Sequence, residues 1–269
     1  INDDFHNDLS VEENIELGLA YNSPQECFDH LYFASKQGSS KAMWWVATIY
    51  LCGENSLNIL PNYDEHKRWL LKAADNGSTD AYFDLARNAS TKDKDNIEAI
   101  KWFKLVVANE QSERTKAEAS CWLGEIYEEG KNGVEKSYLE ALNYYQLSSE
   151  LGYEGAYLHL GEFYFYGRSV DVDYDKAFKY FELAYLAKNG AAYEFLAVCY
   201  ENGHGVSKDL EKGQQIRQEY ELLEFNHNLF VNLSDYVWSN RTNNCFENSK
   251  ILYVGDLIQF TELELLRIP

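Results

Sequence analysis

The sequence predicts an all-α protein made of about six stacked helix pairs with a C-terminal capping tail. Three observations carry that prediction. A skeleton of small, aliphatic and aromatic residues returns every 36 to 39 residues, at Ala42, Ala81, Ala119, Ala156 and Ala192. Its members stand four apart, the spacing of one helix face. Only three prolines occur in 269 residues, which fits helices joined by short turns.

The first helix of each block, helix A, opens at the small residue. Four residues on stand Val46, Leu85, Leu123, Leu160 and Leu196, and four further Tyr50, Ala89, Tyr127, Tyr164 and Tyr200. A glycine then stops the helix at Gly53, Gly130, Gly167 and Gly203, the residue type that enters the left-handed region without a Cβ penalty. The second helix, helix B, places an aromatic residue before small ones and ends on Gly, as in RWLLKAADNG (68–77), YYQLSSELG (144–152) and YFELAYLAKNG (180–190). Trp69, Trp102, Tyr144 and Tyr180 are equivalent positions, and Ala73, Ala74, Ser148, Ser149 and Ala184 let neighbouring helices approach. One such pair cannot bury its apolar face alone, whereas a stack of pairs shares a continuous core.

A cruder copy comes first, with LGLAY (17–21) as helix A and CFDHLYFASKQG (27–38) as helix B. The last degrades into KGQQIRQEYELLEF, as expected of a terminal pair adapted for capping. Two loops depart from the pattern and are expected to be locally irregular: the Asn-rich stretch 54–63, and NASTKDKDN (88–96), which replaces the usual Tyr and Gly loop. Residues 1–225 thus form the solenoid. Residues 226–269 match no block and read as a tail folded over its exposed end.

The pattern A-x-x-x-L-G-x-x-Y-x-x-G followed by the aromatic helix B resembles Sel1-like repeats, relatives of tetratricopeptide repeats. The resemblance covers roughly residues 12–224. One block carries Ala119, Leu123, Gly124, Tyr127, Gly130, Gly133, Val134 and Ala141. The next carries Ala156, Leu160, Gly161, Tyr164, Gly167, Asp173, Lys176 and Ala177. The last keeps the loop residues Gly203, Gly205, Val206, Asp209 and Lys212. The resemblance implies a right-handed α-α superhelix whose helix A side lines a concave surface.

Charge narrows the function classes. The chain has 44 acidic residues against 24 Lys plus Arg, a net of −20. That disfavours nucleic acid and anionic membranes, which need a basic surface; the bulk charge reads first as conferring solubility, and it also suits a protein partner with a basic face. No apolar run approaches the roughly 18 residues of a membrane span. The five cysteines (Cys27, Cys52, Cys121, Cys199, Cys245) are odd in number and form no C-x-x-C. They read as free thiols in a reducing compartment, with Cys121 and Cys199 at or near the core, which favours the cytoplasm. The sequence starts at Ile1 and its only Met is Met43. A periplasmic location behind a removed targeting segment therefore stays open.

No catalytic set is present: the sequence holds no phosphate-binding loop, nucleophile elbow or H-E-x-x-H. His159 and Glu162 stand three apart, but a pair is no metal site, since zinc takes three or four ligands. The plain reading is two polar residues on a solvated face. No cofactor is expected.

What remains is the side of helix A turned away from the Ala-Leu-Tyr stripe, at two, six and nine residues past the small one. There stand Trp44, Phe83, Cys121, Leu158 and Glu194; Arg87, Glu125 and Glu162; and Glu128, Phe165 and Glu201, with Glu129 and Tyr166 one residue on. Aromatics beside carboxylates suggest a protein-binding groove, the rings as anchors and the charge as steering. Reversing Glu125, Glu128 and Glu162 to Lys is expected to weaken partner binding without altering the fold.

The resemblance implies a non-enzymatic binding role. One form is a bacterial immunity protein that occludes a cognate toxin or secreted effector. The alternatives are a general regulatory scaffold for protein complexes and, on the example of cysteine-rich members of the family, a hydrolase of cell-wall or antibiotic-like molecules. The cysteines here lack the regular placement of one pair per repeat that the last would need.

Overall fold

The computed structural model describes residues 10–20, 23–109 and 112–229. Twelve α-helices follow one another there: α1 Val11–Ala20, α2 Pro24–Lys36, α3 Ser40–Cys52, α4 Tyr63–Asp75, α5 Thr79–Asn88, α6 Asn96–Ala108, α7 Glu113–Glu129, α8 Tyr138–Glu150, α9 Gly155–Tyr166, α10 Tyr174–Leu186, α11 Gly190–Asn202 and α12 Leu210–Leu229. Odd-numbered helices carry the helix A pattern and even-numbered ones helix B. The described residues are all-α, as the repeat implied; a lone bridge between Glu54 and Ile59 is the only β pairing among them. The expected cap, 226–269, lies outside the described residues except for 226–229, which continue α12 past the expected boundary.

The chain divides into two compact units, residues 1–172 and 173–269. In the first, each helix A packs on its own helix B (α3 on α4, α5 on α6, α7 on α8), and each helix B packs on the next helix A. Successive A helices also meet, α5 with α7 and α7 with α9. In the second unit, α11 packs between α10 and α12.

The skeleton positions form the core. Ala42, Val46, Ala81, Ala119, Leu123, Ala156, Leu160 and Ala192 are fully buried, with Leu85 and Leu196 nearly so. Their spacing of four keeps them on one stripe, where burial contributes about 1.5–3 kcal/mol for each large side chain. Helix starts are built from short polar caps: Ser39, Ser78, Ser112 and Ser137 accept from backbone N–H groups three residues on, as do Asn62, Asp95 and Asp173. Each cap satisfies a donor that the first helical turn leaves unpaired. Helix A stops as expected at Gly130, Gly167 and Gly203 in the left-handed region. At Gly130 a Cβ would also lie 2.4 Å from Lys136 Cβ and 2.5 Å from its backbone nitrogen, so the turn has no room for a side chain.

Both irregular loops depart as expected. Residues Asn55–Leu57 form a 3-10 turn. After α5 the helix widens into a π turn, Ala89–Asp93, ended by Lys94 in the left-handed region. Ala89, the residue in the Tyr position, is buried there.

Polar groups also bind consecutive helices of the first unit. His66 of α4 is buried. Its Nδ1–H donates to Ala47 O of α3 at 2.8 Å, and its Nε2 accepts from the Asn88 amide of α5 at 3.0 Å. Burial holds this imidazole below its usual range, against an opposing push from the Ala47 carbonyl.

Candidate functional site

The α7–α8 seam positions the main polar cluster. Gly124 sits where the two helices approach, and a Cβ there would stand 2.5–2.9 Å from the Tyr145 ring. With no side chain at Gly124, Tyr145 of α8 lies fully buried against α7. Its hydroxyl donates to Glu128 Oε2 at 2.8 Å, and its ring stacks on His159 of α9, centroids 4.4 Å apart and 6° from parallel.

Four charged side chains gather around that stack. Arg168 Nη1, just beyond the Gly167 stop, lies 2.6 Å from Glu128 Oε1 and 3.3 Å from Glu162 Oε2. His159 Nδ1 lies 3.5 Å from Glu128 Oε2 and Nε2 lies 3.8 Å from Glu125 Oε1. Cys121 Sγ, one turn before Glu125 on α7, is 3.9 Å from the same Oε1. Burial raises the Glu125 and Glu162 carboxyls above the usual range, opposed by His159 and, at Glu162, by Arg168. Burial pushes Glu128 upward too, but its contacts with His159 and Tyr145 and the charge of Arg168 outweigh it, so this carboxyl lies below the usual range. Burial and the nearby carboxylates raise the Cys121 thiol strongly, which makes it an inert nucleophile. Cys121, Glu125 and His159 bring their ligand atoms within 4.8 Å of one another. Glu125 also lines a cleft of about 400 Å³ with Trp122, Glu129, Lys131, Lys94 and Ser90.

The expected groove residues are thus dispersed into several local settings. Trp44 is half-buried, its indole N–H donating to Asp84 Oδ2 at 2.7 Å, and Arg87 pairs with the other oxygen of Asp84, also at 2.7 Å. Phe83 is half-buried edge-on to Phe103, centroids 5.7 Å apart. Leu158 is half-buried. Phe165 meets Tyr166 edge-on at 5.1 Å, and Tyr166 is exposed. Glu129 is exposed beside Lys131, 3.5 Å away. In the second unit, Arg217 of α12 pairs with Glu194 and grips both oxygens of Glu201 at 3.0 and 3.1 Å.

Two expectations need correction. Glu128 and Glu162 are no open charged face, because Arg168 bridges them; a reversal to Lys there would disturb the fold as well as any binding. The helical angle explains this for Glu128: it is only about 40° around from Gly124, the seam position. His159 and Glu162 are half-buried among the α7 carboxylates rather than solvated. Cys121 is buried, as expected of a thiol at or near the core. The residues that organise these settings, Tyr145 and Arg168 in the seam cluster, Asp84 on α5 and, in the second unit, Arg217 on α12, were not among the expected ones. One signal was available for Arg168: a cation directly after the glycine stop, in a chain short of cations, one repeat after the Glu-rich end of α7.

Known proteins share this architecture. The Sel1 repeat family model matches residues 40–78, 79–105, 117–153, 155–189 and 190–215. The protective antigen c5321 of uropathogenic Escherichia coli, which displays an SLR fold, superposes with a TM-score of 0.71 at 23% identity, over 80% of this chain and 46% of that longer one. A Sel1 repeat protein from Oxalobacter formigenes gives a TM-score of 0.64 at 27% identity, over 79% and 82% of the two chains. The immunity protein Pa5087 from Pseudomonas aeruginosa, at 18% identity over 80% and 81% of the chains, reaches only 0.42, a likeness too slight to bear on role. With repeat blocks matched over more than half its length and the helix order they demand, the chain belongs to the Sel1 repeat family, whose helix-pair solenoids bind protein partners.

Proposed function

We propose that the chain is a non-enzymatic binding module which acts as a bacterial immunity protein, occluding a cognate toxin or secreted effector that has a basic surface. The observation that carries this reading is the net charge of −20 together with Trp122, Glu125 and Glu129 in one cleft, which Lys94 and Lys131 also line. Carboxylates would steer a basic partner into contact and select it. Trp122 would supply the anchor. The capped, close-packed helices that present these groups are already ordered, so little conformational entropy would be lost on binding. Inhibition would follow from coverage of the partner's working face, with no chemistry asked of the module.

The test is affinity capture from the source organism with the wild type and with Glu125→Lys/Glu129→Lys, a pair half-exposed or exposed and clear of the Arg168 bridge. A basic protein retained by the wild type at physiological salt, lost with the variant, and inactivated by the wild type supports the reading. Retention indifferent to both reversals places the interface elsewhere. A captured partner whose activity is unchanged favours a scaffold over an inhibitor.

A further inference from the structure

We propose that Cys121, Glu125 and His159 form a three-ligand site for a borderline-soft divalent cation, Zn²⁺ first among them, with the remaining coordination position open to water or to a donor from a bound partner. The ligand atoms are a sulfur, an oxygen and a nitrogen within 4.8 Å of one another. In a tetrahedral zinc site with bonds of about 2.0–2.3 Å, neighbouring ligand atoms stand roughly 3.3–3.6 Å apart. Glu125 Oε1 is already 3.8 Å from His159 Nε2 and 3.9 Å from Cys121 Sγ. A contraction of a few tenths of an ångström in one flexible carboxylate would close those two edges.

The supports of the ligands argue further than their distances. A metal-binding histidine is ordinarily oriented by a carboxylate on its other ring nitrogen. Here His159 turns Nε2 toward Glu125 and Nδ1 toward Glu128, 3.5 Å away. Glu128 is itself held by Tyr145 and Arg168, and the His159 ring is clamped flat on Tyr145. The plane of the imidazole is therefore set before any cation arrives. Cys121 and Glu125 are one helical turn apart on α7, so both face the same way. Soft sulfur and imidazole nitrogen select zinc-like ions over Mg²⁺ or Ca²⁺, which prefer all-oxygen shells. Binding replaces the Sγ–H bond of Cys121 by an Sγ–metal bond and releases the proton to solvent, while Nε2 and the Glu125 carboxylate each donate a lone pair. A dication with one thiolate and one carboxylate is neutral, which removes the cost of burying those two anions.

The experiment is a Co²⁺ titration of the whole chain, thiol-free, read by the thiolate-to-cobalt charge-transfer absorption and by the d–d bands of a tetrahedral ion. The expected result is saturation at one equivalent and displacement by Zn²⁺. Cys121→Ser should abolish the charge-transfer band and His159→Gln should lower affinity at least tenfold. Glu128→Gln, acting through His159, should weaken binding about 10–100-fold. Circular dichroism shows which variants keep their fold. His159 and Glu125 are half-exposed, so His159→Gln and Glu125→Gln remain informative should the buried cysteine variant unfold. Absence of the band, its survival in Cys121→Ser, or an affinity indifferent to His159→Gln and Glu125→Gln would overturn the site.

Discussion

The Arg168 bridge lends itself to a double-mutant cycle with Arg168→Met and Glu128→Gln. Arg168 lies 2.6 Å from Glu128 and 3.3 Å from Glu162, with side chains 27%, 18% and 23% exposed. Exposed pairs contribute about 0.2–1 kcal/mol, and removing one partner of a fully buried pair costs about 3–5 kcal/mol. The single variants should approach the second figure, and the coupling that the cycle isolates should be about 1–2.5 kcal/mol, inside the range of residues sharing one ion-pair network. Methionine keeps the apolar stem of Arg168 but loses the guanidinium contacts with the Tyr138, Phe163 and Tyr166 rings, 5.7, 5.8 and 5.1 Å from their centroids. Those losses appear in the single variant and cancel from the cycle. Glutamine keeps an acceptor oxygen for the Tyr145 hydroxyl. The assay is urea unfolding followed by far-ultraviolet circular dichroism at pH 7, with chelator present so that no adventitious cation contributes. Additivity to within about 0.5 kcal/mol would refute the electrostatic reading and leave Arg168 as a packing residue.

Two further outcomes follow from buried groups. For His66 the folded pKa lies below the unfolded one, so stability is complete above about pH 6.5 and falls as the unfolded chain takes up the proton first. The stability advantage of wild type over His66→Gln should therefore shrink between pH 7.5 and 5.5, by at most about 1.4 kcal/mol per pH unit; a constant gap in paired urea melts would contradict it. Gly124→Ala gains about 1 kcal/mol of helix propensity but forces the Tyr145 ring aside, and such overpacking costs about 1–3 kcal/mol. The net should be a loss of up to about 2 kcal/mol in the same melts, and a gain would mean the seam has space to spare.

How much of this could be read beforehand depends on the range of the interaction. Ala119, Leu123 and Gly130 declare a helix and its end through spacing and one conformational preference, all within a dozen residues, and they stand where the spacing put them. Tyr145, Glu128 and Arg168 form a unit only because Gly124 admits a ring from α8 and because Arg168, 40 residues from Glu128, leaves the Gly167 turn toward α7. Periodicity assigns each residue a side of its own helix. It does not say which neighbour covers that side. Glu128 and Glu162 were therefore placed on an open face that Arg168 in fact bridges, whereas Glu129, one residue on from Glu128, is exposed as expected.

The thread from Ala47 through His66 to Asn88 limits how far this array can be rearranged. Solenoids invite cutting and splicing because each block touches only its neighbours, but here a carbonyl of the first complete block, an imidazole and an amide of the next helices complete one another. Grafting α5 and α6 onto a different helix pair would strand the Asn88 amide in the interior, and deleting them would strand the imidazole. A buried polar group left without its partner costs about 1–3 kcal/mol, so α3, α4 and α5 have to be inherited, duplicated or transplanted together.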